Sequence, residues 1–236
     1  MPVDFDPSNF NLERLRTNYL DLGVVFNNLD AIVQGVLITI ALALLAEVLG
    51  IVLGLVLALL KIARLRILSW PAQVYIDVFR GTPLLVQITI IYFTTASVGL
   101  RFESLFFAGL VALSLNSAAY VAEIFRAGIQ SIDKGQMEAG RASGLSHAQT
   151  MRYIIVPQAF RRTIPPLTNE FVSLVKDTSL VSVIGLAELL RAARVLQSET
   201  FNGTPLIAAA LIYLAICLPL IYLANALERR VNRRTA

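Results

Sequence analysis

The sequence predicts an all-α integral membrane protein with five membrane-spanning helices, and three observations carry that prediction. Hydrophobic residues make up 56% of the chain and charged residues 15%, whereas ordinary soluble domains hold roughly 45–50% and about 25%. The apolar residues gather into runs that approach or exceed the ~20 residues needed to cross a hydrocarbon core. The charged residues between those runs are sorted by sign, as at the two faces of a membrane.

Residues 1–30 are polar and lack a compact apolar stretch of the signal-peptide kind, so they read as an extramembrane lead with an interfacial helix across Leu12–Phe26. The first span, Ala31–Leu60, contains one ionisable residue, Glu47. Glu47 lies one turn before Gly50 and Gly54, a spacing of small residues that lets another helix approach closely. Glu47 therefore either reaches a polar interior or bonds to that neighbour. The second span, 72–98, joins a mixed stretch to the apolar Leu84–Val98, with a bend at Gly81-Thr82-Pro83 and an expected Asp77–Arg80 ion pair holding it. The third span is Leu105–Phe125, the fourth Pro165–Leu186 and the fifth Pro205–Leu227. Leu186–Thr204 between the last two spaces Glu188, Arg191, Arg194 and Glu199 as on an amphipathic outer helix. The organisation is thus a lead at 1–30, one transmembrane domain at 31–230 with a polar loop at 126–162, and a basic tail at 231–236.

Charge sets the orientation. Lys61–Arg66, Arg126–Arg162 and Glu228–Arg234 hold 13 basic residues against three acids, and the opposite side holds five against eight. Lys and Arg accumulate on the cytoplasmic side, so the C-terminus is inside and, with five spans, the N-terminus outside. The basic tail then reads as a lipid-facing anchor and not as a nucleic-acid contact. Cys217, the one cysteine, excludes an intrachain disulfide framework, and the one histidine, His147, falls in the polar loop. Neither a metal-ligand cluster nor a phosphate-cradling GxxxxGK[ST] loop is present in the sequence. Any ATP hydrolysis driving this protein must come from a separate polypeptide.

The polar loop carries the sharpest local signals. Met137-Glu138-Ala139-Gly140-Arg141-Ala142-Ser143-Gly144 favours a short helix that Gly144 ends in a left-handed conformation. Ser146 caps a second helix starting near His147, and Pro157 with Pro165-Pro166 marks the return to the membrane. Glu138, Ala139 and Gly144 are contact candidates for a soluble partner, because small residues permit close approach and an acid near a helix start complements its dipole. A merely solvated connection is the competing reading.

Glu138-Ala139-Gly140, Gly144 after three residues, and Ile154-Ile155-Val156-Pro157 after nine more resemble the loop signature of membrane subunits of ATP-binding-cassette importers. The chain departs from that pattern at Gly140, usually alanine, and at Val156, usually leucine. Phe79-Arg80-Gly81-Thr82-Pro83-Leu84-Leu85-Val86-Gln87, Asn169-Glu170-Phe171 and Lys176-Asp177-Thr178-Ser179-Leu180-Val181-Ser182 resemble one branch, the polar amino-acid permeases. The resemblance covers roughly 31–230. It implies a type I importer permease fold, a multi-pass subunit of the bacterial inner membrane, and a cytoplasmic coupling helix formed by Glu138, Ala139, Gly140, Gly144 and Pro157. The implied partners are two ATPase subunits that hold the ATP and magnesium, an external substrate-binding protein, and a second permease copy or paralogue; this chain itself would bind no cofactor.

The fourth expected span supplies candidates for the path. Ionisable residues inside a membrane cost about 2.5–3.5 kcal/mol each on insertion scales and are functional candidates by default. Glu170 and Asp177 lie two helical turns apart, about 10 Å, on one face with Ser173 between them, and Lys176 points about 100° away. Asn169, Thr178 and Ser179 extend the polar stripe, and Glu47 could join it. Structural ion pairing with neighbouring helices is the competing reading. Paired carboxylates suit an ammonium or guanidinium group, so a basic amino acid is the favoured substrate, with glutamine or glutamate left open. The alternative function is an ion-driven secondary transporter in which Glu47, Glu170 and Asp177 relay a cation or proton. Five spans enclose a path poorly, so two copies are expected, with the fourth span near the twofold axis.

Overall fold

Among the described residues, 12–63 and 65–232, every element of the computed structural model is helical. The first part of the lead, 1–11, and the tail residues 233–236 lie outside them. Where one interfacial helix is expected there are two, α1 (Leu12–Tyr19) and α2 (Leu22–Phe26). Asp21 makes the break, because its carboxylate accepts the Gly23 amide at 3.0 Å and caps a new start. The lead is tied to a distant turn: the Gly203 amide donates to the Asn18 carbonyl at 2.6 Å and the Asn202 side chain to the Thr17 carbonyl at 2.9 Å.

Helix α3 (Leu29–Ile62) packs along α6 (Leu105–Gln130), and this seam is where the small residues act. A Cβ added to Gly54 would come within 2.7 Å of Val121 Cβ and 2.9 Å of the Ala118 carbonyl, and one on Gly50 would strike Ser117. The opposite face of α3 presents Leu45, Val48, Val52 and Leu59 unburied, a surface that water disfavours and lipid accepts. Behind the seam, Leu42, Ala46, Ile88, Ala112, Leu113, Leu174 and Val181 form the largest apolar core.

Helices α4 (Arg66–Gly81) and α5 (Leu84–Ser97) meet at 110°. Pro83 has no N–H to continue a helix and pushes Thr82 into extended geometry, φ −121° and ψ 148°. Gln87 then ties the corner: its amide nitrogen lies 2.8 Å from the Phe79 carbonyl, 3.0 Å from the Thr82 carbonyl and 2.8 Å from Thr82 Oγ1. Asn116 of α6 donates to Gln87 Oε1 at 2.8 Å. The bend stands where expected, but the Asp77–Arg80 pair does not hold it. Asp77 accepts from Gln73 at 2.6 Å, and Arg80 reaches Glu123 at 3.5 Å.

The chain continues through α7 (Lys134–Ala142), α8 (His147–Thr150), a π-helical stretch Met151–Ile155, α9 (Val156–Asp177), a 3₁₀ stretch Thr178–Ile184, α10 (Leu189–Thr200) and α11 (Thr204–Asn232). The fourth expected span is displaced at both ends. Its helix begins at Val156, within the polar loop, and regular α geometry stops at Asp177. The three prolines do not stop it, because a widened turn precedes Pro157 and packing on α6, with Thr163 against Gly128, holds the rest. Among the described residues three helices, α3, α6 and α11, are long and apolar enough to cross a membrane, and the bent α4–α5 pair makes four if taken as one span. Helix α9 falls outside that class because it carries Arg161, Arg162, Glu170, Lys176 and Asp177.

Candidate translocation cavity and coupling surface

Helix α9 presents its polar residues to a cavity of about 870 Å³ shared with α4, α6 and α11. Asn169, Glu170 and Ser173 line one wall; Arg80, Glu123, Arg126, Arg162 and Glu228 supply the remaining charges. Glu170 shares this cavity with Arg80, whereas Glu47 and Asp177, the other two carboxylates expected in the path, are not among the residues that line it. Glu47 is buried and accepts a hydrogen bond from Ser117 Oγ of α6 at 3.3 Å, the bond to a neighbouring helix that was one of the two readings for it. Asp177 and Ser179 are half-buried, and Asn169 and Lys176 are exposed. Thr178 is different: it is fully buried, and its hydroxyl donates to the Val175 carbonyl at 2.7 Å, away from the cavity.

Glu123 is a charged group of the cavity wall that the sequence reading passed over. It receives Lys61 from the end of α3, Arg126 one turn along α6 (2.8 Å) and Arg80 from the end of α4 (3.5 Å). Arg80 also lies over the Tyr120 ring, 5.4 Å from its centroid. One carboxylate thus gathers three cations from three helices at the cavity wall. An acid inside the apolar run Leu105–Phe125 is the signal that could have found it. The roles of Gln87 and Asn116 were also missed, because their partners, two carbonyls and the Thr82 hydroxyl for Gln87 and the Gln87 side chain for Asn116, are not announced by any spacing.

On the opposite end, Glu188 is fully buried and caps α10, accepting the Leu190 and Arg191 amides at 2.9 and 2.7 Å and the Tyr213 hydroxyl at 2.8 Å. Leu189, Ala193 and Leu196 turn inward while Arg191, Arg194 and Glu199 face out, the amphipathic helix expected there.

The polar loop folds as a rigid hairpin. Gly144 takes φ +86°, and the paired bonds Leu145 N to Gly140 O (3.2 Å) and Gly144 N to Arg141 O (3.1 Å) close α7 in the double-bonded left-handed manner. Ser146 and Gln149 cap α8 reciprocally. The dipole argument for Glu138 is corrected: α7 starts earlier, at Lys134, and Asp133 caps it through the Gly135 amide at 2.7 Å, leaving Glu138 in mid-helix. Glu138, Ala139, Gly144 and Pro157 are exposed, whereas Gly140 is buried against Thr150, where an added Cβ would lie 2.6 Å from Thr150 Cγ2. Gly140 therefore holds the hairpin together from inside, and the others form its surface.

A lipid-compatible helical bundle, a charged cavity along one polar helix and a rigid hairpin continuous with that helix define a membrane-embedded transport subunit. The chain belongs to the family of inner membrane components of binding-protein-dependent transport systems, whose pattern matches residues 50–233. It is 42% identical over 215 residues to the arginine transport system permease protein ArtQ of Bacillus subtilis (strain 168), covering 90% of this chain and 98% of that protein. It is also 42% identical over 204 residues to the L-cystine transport system permease protein TcyB of the same organism, covering 86% and 87%. Among solved structures, an amino acid ABC transporter crystallised with histidines matches with a TM-score of 0.85 at 42% identity, covering 89% of this chain and 98% of that one. The methionine transporter MetNI shares the fold, with a TM-score of 0.72 at 22% identity.

Proposed function

We propose that this chain is the permease subunit of an ATP-driven importer of polar amino acids, favouring basic ones, in a bacterial inner membrane. The observation that carries the reading is mechanical. The hairpin helix α8 runs without interruption through the π stretch into α9, and α9 carries Asn169, Glu170 and Ser173 on the cavity wall. A push on the hairpin is thereby delivered to the substrate path through one continuous rod. Glu138, Ala139, Gly144 and Pro157 form the surface that a separate ATPase grips, with Gly140 as its internal brace. In this reading the domain at 31–230 crosses five times, the bent pair and α9 each counted as one, and the basic excess of 126–162 and the C-terminal end argues for an N-terminus outside and a C-terminus inside. An external binding protein delivers substrate to the outer end, where α10 lies. Two such subunits, each with an ATPase carrying ATP and magnesium, complete the path.

Glu170, with Asp177 and Glu47 nearby, forms the acidic wall for a cationic substrate group, and Asn169, Ser173 and Ser179 provide neutral contacts. The named relatives, one for arginine and one for cystine, support an amino-acid substrate and count against the ion-driven alternative. The test is ATPase stimulation and uptake by the reconstituted complex against a panel of amino acids. A charge-assisted bond contributes about 1.5–3 kcal/mol, so Glu170→Gln is expected to lower uptake of a basic amino acid roughly ten- to hundredfold, with Asp177→Asn lowering it less. Full uptake by both variants would remove these residues from the path. Uptake driven by an ion gradient without ATP would remove the whole reading.

A further inference from the structure

A second cavity, of about 460 Å³, opens between the ends of α9 and α11 and is lined by Arg161, Arg162 and Arg230 together with Gln158, Ile164 and Leu227. It holds three guanidinium groups and no acid. Glu228 faces the neighbouring cavity, which it shares with Arg162. Arg162 is anchored, its Nη1 donating to the Ser131 carbonyl at 2.6 Å. Arg161 and Arg230 are exposed, and neither has an ion-pair partner among the described residues.

The order of residues along the two helices points to what the cavity fits. The apolar run of α11 ends at Leu227, and Glu228, Arg229 and Arg230 follow; on α9, Arg161 and Arg162 precede Ile164. Basic side chains at that level meet the boundary between headgroups and hydrocarbon. A cleft with guanidinium groups above and Ile164 and Leu227 beneath has the polarity profile of a phospholipid, charged at one end and apolar at the other. Free phosphate would leave the apolar floor unused, whereas a lipid phosphate and its acyl chain satisfy both.

We propose that this cleft is a binding site for the phosphate headgroup of an anionic phospholipid, with Arg161 and Arg230 clasping the phosphate and Ile164 and Leu227 receiving the start of an acyl chain. The proposal rests on the membrane placement above but not on transport, since the lipid wedges between α9 and α11 whatever solute passes.

The test uses the full chain in nanodiscs of phosphatidylcholine with phosphatidylglycerol as the minor component, followed by extraction and mass-spectrometric counting of retained lipid. Retained lipid is expected to be enriched in phosphatidylglycerol over the bulk. The double variant Arg161→Gln, Arg230→Gln is expected to lose that enrichment by about thirtyfold, each arginine near the surface contributing roughly a fivefold preference. The variant Arg161→Lys, Arg230→Lys retains most of it, which separates lost charge from lost folding. Unchanged enrichment in the glutamine variant overturns the proposal. So does displacement of the lipid by millimolar inorganic phosphate, which would mark a free-anion site. Loss of ATPase association with lipid enrichment intact would assign the arginines to a protein partner instead. A chain that retains lipid as expected yet fails to transport amino acids would overturn the functional reading and leave this one standing.

Discussion

Glu123 shows what a single side chain contributes in this molecule. Its carboxylate is the common partner of Lys61, Arg80 and Arg126, which arrive from α3, α4 and α6. Without its charge, three cations would crowd one corner of the cavity with no anion between them. Removing one partner from a buried ionic cluster leaves uncompensated charge and costs about 3–5 kcal/mol; this cluster is partly open to solvent, which brings the cost below most of that range. Glu123→Gln is expected to lower thermal stability in detergent by about 2–3 kcal/mol and to impair transport, and a variant with unchanged melting would show the cluster to be dispensable. The group was hard to read from sequence because Lys61 is 62 positions away and no local pattern links the two. Local signals were legible: Gly144 read as a left-handed helix end, Ser146 as a cap and Thr82-Pro83 as a corner, since each depends on a few adjacent dihedrals. Glu47 and Glu170 were legible as candidates because carboxylates are rare in apolar surroundings. Where each sits, Glu47 against Ser117 and Glu170 on the cavity wall, required the fold.

At the scale of elements, two close approaches set the geometry. The α3–α6 seam depends on Gly54, where a side chain would overlap Val121, whereas Gly81 at the α4–α5 corner has open space around its missing Cβ. Gly54→Val is expected to cost about 1–3 kcal/mol or more through overpacking. Gly81→Ala should be neutral or slightly stabilising, by up to about 1 kcal/mol. Parallel thermal unfolding of the two variants checks the contrast, and equal losses would refute it. The hairpin offers a finer test. Gly140 faces Thr150 Cγ2 at a distance that an alanine methyl cannot share, so Gly140→Ala alone should weaken the α7–α8 packing by about 1–2 kcal/mol. Adding Thr150→Ser removes the opposing methyl and should restore most of it. Uptake coupled to ATP hydrolysis is the readout, and failure of the double variant to recover would place the constraint elsewhere. The sequence signalled this hairpin but not the extent of α9. Pro157, Pro165 and Pro166 read locally as interruptions, and only packing against α6 carries a helix through them.

At the scale of the whole molecule, α9 poses a problem that one copy leaves unsolved. Asn169 and Lys176 are exposed on a helix whose neighbours α3, α6 and α11 are built for lipid. Polar side chains facing hydrocarbon are costly, so this face must meet water in a path or a second protein surface. The twofold pairing proposed above would supply both, bringing α9 of one subunit toward α9 of another and enclosing the cavity between them. An Asn169→Cys variant made in a background with Cys217 replaced by Ala is therefore expected to form a symmetric cross-link in the membrane under mild oxidation. The same substitution at Val48, on the lipid-facing side of α3, should not. If the chain pairs with an unequal partner, the Asn169→Cys link appears only when that partner carries a cysteine at the corresponding place. Cross-linking through Val48 but not Asn169 would invert the assignment and put the polar face of α9 away from the axis.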